Sequence, residues 1–317
     1  MEYRQLGTAG PRVSVVSLGC NNFGGSSSSA DVPAYGVLGF EQTSAVVDAA
    51  YDCGITFFDT ANVYGNGGSE EFLGRILRGR RDSVVIGTKW GSGEGAGTAW
   101  GTRKRVRQAV EGSLRRLATD YIDLYQMHWP DPRTPIEETL EALSELVTAG
   151  KIRFAGSSHL SGWEVVDTDW IARARGLSRF VSAQNEYSLL RRGAETELLP
   201  ACRRVGVGLL PYFPLASGLL TGKYRRGAAF PPGTRLSGRT VDDRVFDTLE
   251  ALEGFAVERG HSLLELAVSA IAARPGVTSV ITGATRPEQI RANAAAANWQ
   301  LQATDLADLD QVLARAS

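Results

Sequence analysis

Short apolar runs rich in Val, Ile, Phe and Leu alternate along the chain with longer stretches in which apolar residues recur every three or four positions. The short runs span 13–19, 56–61, 84–90, 122–128, 152–158, 180–187, 207–213 and 278–284. They have too few polar positions for a strand with one wet face, so they predict a parallel sheet buried on both faces. Between them lie helical patterns such as 42–54, 69–77, 102–118, 135–150, 193–206 and 242–260. Several open on Ser, Thr, Asp or Pro and close at Gly, as helix starts and stops do. Eight strand–helix units in 317 residues, with a longer gap before the last, predict an α/β chain folded as a (β/α)8 (TIM) barrel. No shift in composition divides the chain, so 1–317 reads as one domain. Residues 3–7 and the segment after Pro11 predict a short N-terminal hairpin, and 303–316 an extra C-terminal helix.

Two connections are long, 24–39 and 217–241. Both follow strands, which places both at the barrel's C-terminal face. Within the second, 225–239 has few large apolar residues to pack by itself but four arginines suited to phosphates, and part of this loop is expected to be mobile and to fold over a phosphate-bearing ligand when one binds. A doubly wound dinucleotide fold competes through GSGEGA at 91–96, which fits G-x-G-x-x-A. In that fold a helix opens inside the motif and an acid ends the next strand about 20 residues on. Here the next helix is expected to begin near Thr102, and the residues near 111 are mid-helix, so the stretch reads as a polar loop.

Composition adds limits. Net charge is −1, which gives no sign of a nucleic-acid or acidic-lipid partner. No stretch approaches the ~18 apolar residues of a membrane span, and no leader-like segment follows Met1. Cys20, Cys53 and Cys202 are too scattered for a metal site and fit a reducing compartment, so the expected location is the cytoplasm and no metal is implied. One skew matters for chemistry. Of 34 basic residues only Lys89, Lys104, Lys151 and Lys223 are lysines. A lysine ending an apolar strand in so arginine-rich a chain calls for a specific reason.

In a barrel the C-terminal ends of strands converge on one mouth. Read in order, those ends carry Asp59, Lys89 and His128, and Tyr64 follows Asp59 on the adjoining loop. A free phenol is a poor acid near neutrality, with a pKa of about 10. An adjacent ammonium lowers that value, a carboxylate holds the ammonium in place, and an imidazole orients a substrate oxygen. A lysine suits the part because its charge is compact, whereas an arginine fork spreads it.

These four residues, in FFDTANVYG, GTKWG and QMHWPD, resemble the catalytic tetrad of the aldo-keto reductases, and the resemblance runs over nearly the whole chain. It implies a (β/α)8 barrel that reduces aldehydes and ketones, with Tyr64 as general acid, Lys89 and Asp59 tuning it and His128 orienting the carbonyl. It also implies NADP(H) as cofactor and a small carbonyl compound as partner. The implied cofactor contacts begin with Gly19 and Asn21 at the end of the first strand. Ser158 follows, and His159 stands where the family has Asn. Gln184 joins the nicotinamide shell and Tyr212 stacks on the ring. Pro214, Leu215, Ser217, Gly218, Leu220 and Lys223 run along the pyrophosphate, while Gly283, Arg286, Gln289 and Asn293 form the adenosine-phosphate segment.

That last segment also stands on physical grounds. Pro287 suits the first turn of a helix whose N-terminus favours an anion, and Arg286 beside it suits a 2′-phosphate, hence NADPH over NADH. Trp90 and Trp129, next to Lys89 and His128, are expected to wall the substrate pocket. Two alternatives stay open: a nucleotide-binding regulatory barrel with little turnover, and a sugar-modifying ketoreductase of secondary metabolism.

Overall fold

The computed structural model describes residues 1–24, 36–92 and 98–315. An antiparallel hairpin, β1 (Tyr3–Gln5) and β2 (Arg12–Ser14), precedes eight parallel strands. These are β3 (Val16–Gly19), β4 (Phe57–Asp59), β5 (Val85–Trp90), β6 (Ile122–Met127), β7 (Ile152–Ser158), β8 (Phe180–Glu186), β9 (Gly208–Tyr212) and β10 (Val280–Gly283). Their order is β10-β3-β4-β5-β6-β7-β8-β9. The circle closes where the Leu209 amide donates to Gly276 O at 2.9 Å and the Thr278 amide donates to Leu209 O at 2.9 Å.

Among the described residues eight α-helices lie between strands: α1 (Phe40–Asp52), α2 (Gly68–Ile76), α3 (Arg103–Leu117), α4 (Ile136–Thr148), α5 (Gly162–Arg175), α6 (Leu198–Val205), α7 (Asp243–Glu258) and α8 (Leu263–Ala272); α9 (Pro287–Ala296) follows β10. A further helix, α10 (Ala303–Arg315), follows them and packs on α7. Both α7 and α8 fall between β9 and β10, which accounts for the long gap before the last predicted strand. Local chemistry sets the boundaries. Ser262 and Glu265 form a reciprocal capping box at the start of α8, with the Ser262 amide donating to the Glu265 carboxylate at 2.8 Å. Gly206 ends α6 at φ +77°, a conformation that favours glycine. Among the described residues no helix is long and apolar enough to cross a membrane.

The predicted strand 13–19 is two strands. At Val15 the backbone changes partners: its N–H donates to Glu2 O in the hairpin at 2.9 Å, and its C=O accepts from Val280 in the barrel at 2.8 Å. Leu6 and Val13 of the hairpin region pack with Phe57, Leu124, Val181, Leu210 and Ile281 into an apolar plug inside the barrel's N-terminal end. A separate apolar shell fills the space between strands and helices. The polar layer above the plug is the barrel mouth.

Candidate active site

Side chains alternate along a strand, so every second residue faces the barrel interior. In β4, Phe57 joins the plug, Phe58 turns to the helices, and Asp59 faces inward again. Lys89 on β5 lies on the same interior face as Val85, and His128 on that of Leu124, one residue beyond β6. Tyr64 opens a short 3-10 turn, Tyr64–Gly67, and the segment before it is tied to β5. There Thr60 N donates to Gly87 O at 2.8 Å and Asn62 N to Lys89 O at 3.1 Å.

The structure brings the four together. Lys89 Nζ donates to Asp59 Oδ2 at 2.7 Å and to Thr60 O at 2.9 Å, and it is wholly buried. The same Nζ lies 5.1 Å from the centre of the Tyr64 ring. The His128 ring meets Tyr64 edge-on, with centroids 5.9 Å apart. His128 Nδ1 is buried and has no hydrogen-bond partner among the described residues.

Their protonation follows from burial and charge. Burial alone lowers the Lys89 pKa, but Asp59 and Tyr64 outweigh it and the net shift is upward from 10.5. Burial pushes the His128 imidazole well below its ordinary 6.5, and the charges of Lys89 and His159 push the same way. It is therefore neutral at neutral pH. The Tyr64 phenol sits deep in the site although its ring is only half-buried by surface. Burial raises its pKa, Lys89 lowers it, and the balance stays above the ordinary 10.0. Lys89 acts in the expected direction, and burial of the phenol opposes it.

The region read as cofactor-binding lies around the same mouth. Gly19 and Gly283 are register partners at the C-terminal ends of β3 and β10, and Gly283 opens onto free space. Asn22, the neighbour of Asn21, donates to Ala284 O at 2.9 Å and so ties the loops after β3 and β10. Ser158 Oγ donates to Gln184 O at 2.8 Å. Ser217 (φ +59°) and Gly218 (φ +91°) are consecutive left-handed residues after Pro214 and Leu215. A Cβ on Gly218 would meet Lys223 Nζ at 2.7 Å, so an exposed ammonium stands directly over this turn. Turned backbone beneath an ammonium suits a phosphate group.

Arg286 is the exposed N-cap residue of α9, and Pro287 is its first residue, as predicted. Gln289 Oε1 accepts from Thr285 N at 2.8 Å, and Asn293 Nδ2 donates to Gly283 O at 3.2 Å. These bonds shape the loop between β10 and α9. Lys223 and Arg286 are both exposed cations on the segments that follow β9 and β10.

Several expectations need correction. Trp90 is fully buried, stacked on Tyr125 with centroids 4.6 Å apart, and faces the helices. It follows the inward-facing Lys89, so the strand's alternation turns it away from the pocket. Trp129, just past the end of β6, is 46% exposed. Leu220 is wholly buried in the core. The segment 225–239 is packed: Phe230 meets Tyr224 and Phe246, Leu236 is buried, and Arg225 and Arg226 pair with Glu253 and with Glu250 and Asp247 of α7. The helix after β5 begins at Arg103 with Thr102 as N-cap, as expected, while 93–96 of GSGEGA and 25–35 of the first long loop lie outside the described residues.

Sequence reasoning also missed a residue. Gln126 is wholly buried, donates to Asp59 Oδ1 at 3.4 Å, and accepts from Ser182 Oγ at 3.1 Å. It sits two residues before His128 on the same interior face, which is the signal that was available.

A barrel with an acid, a lysine, a tyrosine and a histidine gathered at its C-terminal mouth defines an enzyme-like architecture. The chain belongs to the Aldo/keto reductase family, whose sequence profile matches residues 15–314. That family comprises oxidoreductases acting on carbonyl compounds with a nicotinamide cofactor. The chain is 37% identical to a probable voltage-gated potassium channel subunit beta of Oryza sativa subsp. japonica, over 92% of this chain and 90% of that one. It is 36% identical to aldo-keto reductase YhdN of Bacillus subtilis (strain 168), over 99% and 94% of the two chains. It is 34% identical to L-glyceraldehyde 3-phosphate reductase of Escherichia coli (strain K12), over 99% and 93%.

Proposed function

We propose that this protein reduces aldehydes or ketones to alcohols with NADPH, using Tyr64 as general acid. The observation that carries this reading is the buried Lys89–Asp59 pair, 2.7 Å apart and set beneath the Tyr64 ring. When bound, NADPH supplies the hydride delivered to the carbonyl carbon. Tyr64 keeps its proton at neutral pH and donates it to the carbonyl oxygen as negative charge develops there. Lys89 stabilises the phenolate that this transfer leaves, and Asp59 fixes Lys89 in place. Neutral His128, its ring edge-on to Tyr64, orients the carbonyl oxygen beside that phenol. Lys223 and Arg286 hold the phosphates, and Arg286 at the start of α9 selects the 2′-phosphate. The protein is expected to act in the cytoplasm.

NADPH consumption with a panel of aldehydes, ketones and phosphorylated or deoxy sugars tests the reading. Turnover of at least one carbonyl class, lost in Tyr64→Phe, supports it. The second reading, a nucleotide-binding regulatory barrel, draws on the potassium channel subunit beta among the relatives. Tight NADPH binding with no turnover across the panel would favour it instead.

A further inference from the structure

His159 follows β7 directly and stands in the left-handed region at φ +62°. Its imidazole is held from three directions. One face stacks on the Trp129 indole, with centroids 3.5 Å apart and planes 10° from parallel. Nδ1 lies 2.7 Å from the backbone oxygen of His128. Nε2 lies 3.0 Å from the hydroxyl of Tyr212.

The hydrogen positions follow from what each group is able to do. A carbonyl oxygen only accepts, so Nδ1 carries the hydrogen and donates it to His128 O. Burial keeps the ring neutral, so Nε2 is bare and accepts from the Tyr212 hydroxyl. Ser158 Oγ, 3.0 Å from Nδ1, already donates to Gln184 O and leaves this assignment unchanged. Both nitrogens are therefore committed within the protein. No polar atom of the ring remains for a nicotinamide carboxamide, the contact expected of Asn at this position.

We propose that His159 is a positioning residue: it anchors the hydroxyl of Tyr212 and thereby sets the ring of Tyr212 as a stacking platform before cofactor arrives, in place of holding the carboxamide. This rests on the reading of the mouth as a nicotinamide site. The backbone of His128, the wall residue Trp129 and the platform Tyr212 are joined through this one imidazole.

Two measurements decide it. The first needs no cofactor. Nitrogen-15 spectra of the histidine side chains should show His159 protonated at Nδ1 and bare at Nε2, with the Nε2 resonance moving in Tyr212→Phe. A ring protonated at Nε2, or an Nε2 resonance unmoved by Tyr212→Phe, overturns the proposal. The second is a double-mutant cycle on the NADPH Kd. A net hydrogen bond of about 0.5–1.5 kcal/mol corresponds to a two- to tenfold change. Tyr212→Phe should weaken NADPH by that factor in the wild-type background and have no effect in His159→Ala. An equal loss in both backgrounds means that His159 and Tyr212 act separately, and no loss in either means the bond does not set the platform; each sinks the proposal. A wild-type protein that binds no NADPH sinks the cofactor reading and the platform with it, whereas the spectra still decide whether the His159–Tyr212 bond exists.

Discussion

The side-chain amide of Gln184 donates to Oδ1 of Asp59 at 2.8 Å, on the carboxylate oxygen that Lys89 does not use. Gln126 adds a longer bond to the same oxygen at 3.4 Å. A buried ion pair repays its desolvation only when further hydrogen bonds satisfy it, and these two amides do that for Asp59. This gives Gln184 a role beyond the nicotinamide contact implied by family resemblance. Replacing Gln184 with Met keeps the volume and removes the donor. Because it leaves a buried acceptor short of a partner, it should cost about 1–3 kcal/mol in urea unfolding at pH 7. A stability loss below about 0.5 kcal/mol would show that Gln126 alone suffices.

Tyr64→Phe removes the acid and keeps the ring. NADPH binding should remain near wild type, while kcat falls by roughly 10²–10⁴, the range for losing a general acid. The Lys89–Asp59 pair survives in this variant, so the fold is expected to be unaffected. Near-wild-type kcat would remove Tyr64 from the mechanism.

Arg286→Ala tests cofactor choice. Arg286 is exposed at the N-cap of α9 and is not engaged by a side-chain hydrogen bond there. Its loss should therefore cost a ligand contact and little stability. A charge-assisted bond of about 1.5–3 kcal/mol predicts a ten- to hundredfold weaker Kd for NADPH, with NADH nearly unchanged. Equal weakening of both cofactors would assign Arg286 to something other than the 2′-phosphate.

The sequence was most legible where a single period governs. Strand alternation and the convergence of strand ends brought Asp59, Lys89 and His128 to one mouth from spacing and residue type. The same period, carried one residue further, turns Trp90 to the core and Gln126 to the carboxylate. Neither residue carries a charge, so only the alternation itself marks their direction. Other features depend on tertiary placement that no local pattern encodes. The His159–Tyr212 bond joins residues 53 positions apart through a left-handed backbone turn. The pairing of Arg225 and Arg226 with α7 requires knowing where that helix docks. The upward balance at Tyr64 requires a depth of burial that sequence does not give.

The packing of 217–241 changes what cofactor binding is expected to do there. Leu220, Tyr224 and Leu236 are buried, and Arg225 and Arg226 already have carboxylate partners. Closure of the whole segment would have to break those contacts. Hydrogen exchange should therefore show 224–241 equally protected with and without NADPH, and added protection on binding confined to the turn 216–223, which carries Ser217, Gly218 and Lys223. Protection gained throughout 224–241 would mean that the segment closes as a lid after all.

Acid should destabilise the protein before its carboxylates titrate. Burial lowers the pKa of His128 well below 6.5 and lowers that of His159 from the same value, with His128 the more deeply affected. The sign follows from which state binds the proton. Below about pH 6.5 the unfolded chain takes up protons at these positions and the folded chain does not, so acid favours unfolding. The stability contributed by the neutral rings is complete above about pH 6.5 and is lost as pH falls through the folded values. Each ring contributes at most about 1.4 kcal/mol per pH unit, and His159, being only half-buried, contributes less than His128. The lowered carboxylates Glu195, Glu265 and Asp310 start from ordinary values of 4.5, 4.5 and 3.8, so they act at lower pH. Urea unfolding at pH 7.5 and pH 5.5 isolates the histidines. Wild type should lose about 1–2 kcal/mol more over this interval than the double variant His128→Gln, His159→Gln. Equal losses in the two proteins would mean that both imidazoles are as free to take a proton in the folded mouth as in water.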